Sequence, residues 1–174
     1  MLRNSVTVGI GAIALTLSAQ SLYAETPKLD QLPEAIRPTG MTVFLETAAT
    51  GAQIYTCGKN NAGAWAWTLK APDAQLVDTQ KKPVAKHYAG PTWEGTDGGK
   101  VVGAAKANAP SPTGSIPWLL LDVKSHEGSG QLTQAKAILR VSTTGGVAPA
   151  TGCDEAHTNA ESRVPYTATY LFLK

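Results

Sequence analysis

Cysteine is scarce in this chain, with two in 174 residues, and aromatic residues make up only 6%. Two cysteines are too few for a zinc centre built from four thiolates or for a small scaffold stapled by several disulfides. They do not form a C-x-x-C pair either. Charge is also sparse, at 16% of residues against about a quarter in an ordinary domain. Fifteen Lys and Arg stand against thirteen Asp and Glu, for a formal net charge of +2. That balance lacks the basic footprint of a nucleic-acid partner, so none is expected. The longest apolar run, Val6 to Leu17, falls short of the roughly 20 residues a spanning helix needs, and no second run approaches it. Stable membrane insertion is therefore not expected.

Motifs for chemistry are missing as well. His87, His126 and His157 lie in three separate segments, with no H-x-H or H-E-x-x-H spacing to converge on a metal. Gly128-Ser129-Gly130 has neither the spacing nor the following helix of a nucleophile elbow. The glycines between Gly95 and Gly103 open no helix, so they read as turns rather than a phosphate cradle. No metal and no cofactor is expected.

What is present begins with an address. Arg3, the apolar run to Leu17 and the small-residue stretch Ser18 to Ala24 have the three parts of a secretory signal peptide. Cleavage is expected after Ala24, with Ala19 and Ser21 as alternative sites. No cysteine follows the apolar run, so no lipoprotein anchor is expected. The remaining chain divides into an arm, 25–40, and one β domain, 41–174. The protein is expected to be exported, to a periplasm or the extracellular space. In an oxidising compartment Cys57 and Cys153 are most simply one disulfide, closing a loop worth about 4–5 kcal/mol in the chain-entropy account. Two free thiols or two metal ligands are the alternatives.

The mature chain reads as strands. Three prolines, Pro27, Pro33 and Pro38, leave room for one short helical turn between Leu29 and Ile36. Thr42 to Glu46 is a first strand, and Thr50-Gly51 is read as a turn. Ala52 to Cys57 alternates, with Gln53, Tyr55 and Cys57 on one face. Asn60 to Gly63 turns the chain into Ala64 to Lys70, where Trp65, Trp67 and Leu69 share a face. Ala74 to Asp78, Val84 to Tyr88, Thr92 to Glu94 and Lys100 to Lys106 are further short strands. Asp97-Gly98-Gly99 marks a hairpin. Trp118 to Val123 is nearly continuous in apolar character, as a strand buried on both faces would be. Gln131 to Thr143 fits a helix or a strand; Ala135, Ala137, Leu139 and Val141 at period two favour a strand. A long loop, 145–162, is held at Cys153, and Pro165 to Leu173 closes the fold with Tyr166, Ala168, Tyr170 and Phe172 on one face. With 17 glycines and 11 prolines for turns, the pattern predicts an all-β sandwich or barrel.

Several blocks in this order resemble one family, domain of unknown function 3455. They are Gly51 to Cys57 (GAQIYTC), His87 to Glu94 (HYAGPTWE), Asp97-Gly98 with Val101 to Gly103, Ile116 to Leu120 (IPWLL), Thr144 to Gly146 with Cys153-Asp154, and Pro165 to Ala168 (PYTA). The resemblance runs from about residue 40 to the C-terminus. It implies an exported bacterial or fungal protein, mostly β, with paired cysteines. It implies no established activity and supplies no catalytic or binding residue. The chain departs from the family pattern at Gly99, where serine is usual, which weakens any catalytic serine there. It departs again at Leu173-Lys174, where the closing strand is usually more aromatic.

The candidate site is the cluster His87, Tyr88, Trp93, Glu94 and Asp97. Gly90-Pro91 forces a turn that can bring His87 and Glu94 to facing positions, where a carboxylate beside an imidazole would tune it for acid–base work. The plainer reading is a structural turn. Trp93 beside Glu94 and Asp97 also suits stacking of a sugar, whereas Trp67 and Trp118 suit a core. Gln53, if its face points inward, is a buried amide that needs a partner and can line a pocket with His87. Three readings follow: an exported, non-enzymatic domain binding a small molecule, a sugar or an envelope partner; a small hydrolase or lyase using His87 and Glu94; and a structural or stress-protective envelope protein.

Overall fold

The computed structural model describes residues 26–112 and 114–174; the expected export segment, 1–24, lies outside the described residues. Eight strands follow one another: β1 Val43–Lys59, β2 Trp65–Val77, β3 Pro83–Tyr88, β4 Thr92–Gly95, β5 Lys100–Ala109, β6 Trp118–Glu127, β7 Ala137–Gly145 and β8 Glu161–Leu173. Each pairs antiparallel with the next, and β8 returns to β1, so the sheet closes into a barrel. Of the two expected all-β architectures, the barrel is the one formed. Helical structure among the described residues is limited to short 3-10 turns.

Alternation along the strands sorts side chains between two apolar clusters. The inner one holds Leu76, Trp93, Val101, Ile138, Tyr170 and Phe172, with Ala49, Ala74, Ala85 and Ala168 as small partners. Large and small residues alternate around a barrel this narrow because an eight-stranded interior is about one layer of side chains wide. The second cluster lies on the outer face of β6, β7 and β8. There Leu120, Leu139, Leu171 and Leu173 meet Leu32 and Ile36, which are 1% and 0% exposed. Those two residues belong to the arm, whose 3-10 turns Leu29–Gln31 and Glu34–Ile36 lay it across the barrel wall. The arm explains the continuous apolar character of β6: Leu121 faces in and Leu120 faces out, and both are covered.

Two expectations need correcting. Thr50-Gly51 is not a turn: β1 runs unbroken through it. Gly51 is required there by a close approach. A Cβ on it would lie 2.1 Å from the Asp73 carbonyl oxygen and 2.6 Å from the Ala74 Cβ, so β1 can pack against β2 only with glycine at that point. The strands also run longer than read: Ala64 to Lys70 and Ala74 to Asp78 are one strand, β2. The ambiguous segment splits, with a 3-10 turn at Gln131–Gln134 followed by β7.

The disulfide joins Cys57 at the far end of β1 to Cys153 in the loop after β7, across 96 positions of sequence. Trp67, opposite Cys57 on β2, donates its Nε1–H to the Thr151 carbonyl at 2.9 Å. Tyr55 donates its hydroxyl to the Gly146 carbonyl at 2.6 Å. The loop is thereby drawn against the wall formed by β1 and β2. Gly146, with φ of +77°, approaches so closely that a Cβ there would stand 3.2 Å from Cγ of Gln53.

Candidate functional site

Inward-facing residues at the end of the barrel bearing the β3–β4 turn do not fill it. A cavity of about 280 Å³ opens there, lined from seven of the eight strands. Leu69, Ala71, Pro72, Leu119 and Leu121 supply apolar walls; Gln53, His87, Arg140 and Tyr170 supply polar groups. Gly90 and Pro91 of the β3–β4 turn contribute to the rim. The volume is near the lower bound of ordinary ligand pockets, about 300–1,000 Å³.

Register puts His87 here. In the β3–β4 hairpin His87 pairs with Trp93, and Lys86 pairs with Glu94. Side chains alternate, so His87 and Trp93 point inward while Glu94 points out. The imidazole and indole stack with centroids 4.2 Å apart and planes 10° from parallel. Tyr170 meets both edge-on, at 5.2 and 5.5 Å, and Phe172 meets the indole at 6.3 Å. His87 is 3% exposed, and its Nδ1–H donates to the Thr92 carbonyl at 2.9 Å. A carbonyl only accepts, so the ring proton sits on Nδ1 and Nε2 carries the lone pair. Burial drives the imidazole pKa down from 6.5 to about 4, the Arg140 charge lowers it further, and the Thr92 hydrogen bond opposes both. The ring is therefore neutral at neutral pH.

The other sequence-predicted residues are dispersed. Glu94 is exposed and accepts a hydrogen bond from the Tyr88 hydroxyl at 2.9 Å, which raises the Tyr88 pKa. With His87 and Glu94 on opposite faces of one hairpin, the facing acid–base pair does not form. Asp97 is occupied by backbone: its carboxylate accepts from the Gln131 N–H at 2.6 Å and the Gly99 N–H at 3.2 Å. Those bonds hold its pKa below the usual range. Trp93 is 1% exposed with its face against His87, so it offers no open platform for a sugar. Trp118 packs against the outer cluster beneath the arm. Gln53 is 2% exposed, on the inner face with Tyr55 and Cys57, and shares the cavity with His87. Its Nε2 has no hydrogen-bond partner. An unpaired buried amide costs about 1–3 kcal/mol. Among the described residues the Nε1–H groups of Trp93 and Trp118 are also buried without a partner, but of the three side chains only Gln53 lines the cavity.

Two lining residues went unrecognised in the sequence. Arg140 sits on β7 opposite Tyr170 of β8 and Leu119 of β6. A lone charge inside the run Ala137 to Val141 was the available signal. Its Nε and Nη2 donate to the Pro117 carbonyl at 3.2 and 2.9 Å. Tyr170 was read only as part of an apolar face. Burial raises its pKa, and the nearby Arg140 guanidinium opposes the rise.

A closed antiparallel barrel with a cavity of about 280 Å³ opening near the β3–β4 turn, lined in part by an arginine, an amide, an imidazole and a phenol, defines the class of this protein. Residues 38–174 match the family model described as a protein of unknown function, DUF3455, and the chain belongs to that family. No curated protein and no solved structure matches it.

Among the described residues, no three His, Cys, Asp or Glu side chains gather as a metal site, and no helix is long and apolar enough to cross a membrane.

Proposed function

We propose that this is an exported, non-enzymatic barrel that receives a small molecule in its interior cavity. The observation that carries the reading is the unpartnered Gln53 Nε2, 2% exposed, in a cavity whose other walls are largely apolar. Small-molecule sites have this composition: apolar walls with a few fixed polar groups that orient the guest. Eight-stranded barrels are just wide enough to hold one such guest. Catalysis finds less support. A base working near neutral pH needs a pKa near 7, and His87 is held near 4. Glu94, its expected partner, faces outward.

The test is an amide-shift titration of the purified protein with a fragment library that includes neutral compounds. Hits should move resonances of Gln53, His87, Arg140 and Tyr170 and leave the arm unmoved. A library in which no compound perturbs these residues removes the reading.

A further inference from the structure

Resting on that reading, we propose that the cavity selects a small organic acid: a carboxylate on a short apolar body, the carboxylate held by Arg140 and the Gln53 amide.

Charge is the first argument. Two cationic side chains line the cavity, Arg140 and Lys70, and no acidic side chain does. Lys70 is occupied by an ion pair with Glu161. Arg140 takes part in none of the ion pairs found among the described residues. Its charge is nevertheless felt inside: burial lowers the His87 pKa and raises those of Tyr55, Tyr166 and Tyr170, and Arg140 adds to the first shift and opposes the other three. A guanidinium has five N–H donors in a planar fork suited to a carboxylate. Here two of its nitrogens bind one backbone carbonyl, that of Pro117, which positions the fork without neutralising it.

Hydrogen bonding is the second. Gln53 Nε2 is a buried donor with nothing to donate to. A carboxylate has lone pairs enough for both an arginine and an amide. His87 does not compete for the anion as a cation, because its ring is neutral.

Size and polarity set the remainder of the guest. About 280 Å³, walled in large part by Leu69, Ala71, Pro72, Leu119 and Leu121, accommodates a short apolar body beside the carboxylate. A benzoate-like or hexanoate-like acid fits that description.

The experiment uses matched pairs: benzoate against benzamide, and hexanoate against hexanamide, each titrated into the purified protein by isothermal calorimetry and amide shifts. Each acid should bind at least about tenfold more tightly than its amide, the ratio a charge-assisted hydrogen bond supplies. Arg140→Gln should erase the preference, and Arg140→Lys should keep part of it. Gln53→Leu should weaken acid binding while leaving the denaturation midpoint equal or higher, since it removes an unpaired buried donor. That variant separates a binding role from a structural one should Arg140→Gln fail to fold. Amides binding as well as acids would overturn the inference and leave the small-molecule reading standing. Neutral library fragments shifting the cavity while neither acid does would overturn it in the same way. Failure of every compound would sink both.

Discussion

His87 is an imidazole stored in its uncharged form. The folded chain accepts its proton only near pH 4, whereas the unfolded chain accepts it near 6.5. Between those values the unfolded state binds more protons, so stability falls as pH falls through that window and is undiminished above it. The difference corresponds to about 3 kcal/mol at its fullest. Urea titrations between about pH 7 and about pH 4 should show the wild-type protein losing roughly that much more stability than His87→Gln, since the two share every other titrating group. Equal pH slopes would place the imidazole in water. Trp93 makes a second residue-scale case. Gly103 leaves room for its ring, a Cβ there standing 3.1 Å from the indole Cζ3. Trp93→Ala should cost about 3–5 kcal/mol in chemical denaturation. Trp93→Phe should cost markedly less, because it retains a ring and removes an Nε1–H that has no partner.

At the scale of elements, the arm behaves as a lid on the outside of the wall. Ile36 is fully buried against the outer cluster, although it belongs to a three-residue 3-10 turn outside the sheet. Ile36→Ala should lower stability by about 2–5 kcal/mol, the usual range for an emptied apolar site, and should raise dye binding by uncovering Leu139 and Leu171. An unchanged midpoint would mean that the arm only rests on the barrel.

The arm also shows where the sequence was legible and where it was not. Alternation revealed the inner face of β8 and of the second half of β1, because Tyr166, Tyr170, Gln53 and Tyr55 recur at period two. Alternation marked β7 as a strand but could not tell its inner face from its outer one, and it gave no period at β6, because both faces of these strands are buried. That ambiguity hid Arg140, whose inward position depends on which face the arm covers. The fold class and the disulfide could be read locally, from strand lengths and cysteine number. His87 and Gln53 were each singled out, but their meeting in one cavity with Arg140 and Tyr170 depends on barrel closure, a long-range property of register. The Thr50-Gly51 pair misled because glycine marks turns and close backbone approaches alike, and only the neighbouring strand tells them apart.

At the scale of the whole molecule, the Cys57–Cys153 bond restrains most of the barrel. A loop of its length constrains the unfolded chain by about 4–5 kcal/mol in the chain-entropy account, often less in practice. The double variant Cys57→Ser, Cys153→Ser should unfold at clearly lower denaturant than the oxidised protein. Reduction of the wild-type protein should reproduce the loss. A midpoint within error of the oxidised form would mean that the loop after β7 is held by its hydrogen bonds, those of Tyr55 and Trp67 among them, without need of the disulfide.

Because every sheet neighbour except one is also a neighbour along the chain, the ladder between β1 and β8 is the seam of the cylinder. Residues near the start of the fold wait for residues near its end, so the ring cannot be sealed until the final thirteen-residue strand is available. A product stopped before Glu161 would carry two raw edges, on β1 and β7, each with an open row of amides and carbonyls inviting another chain. Early termination would therefore produce a sticky ribbon rather than a smaller version of the protein.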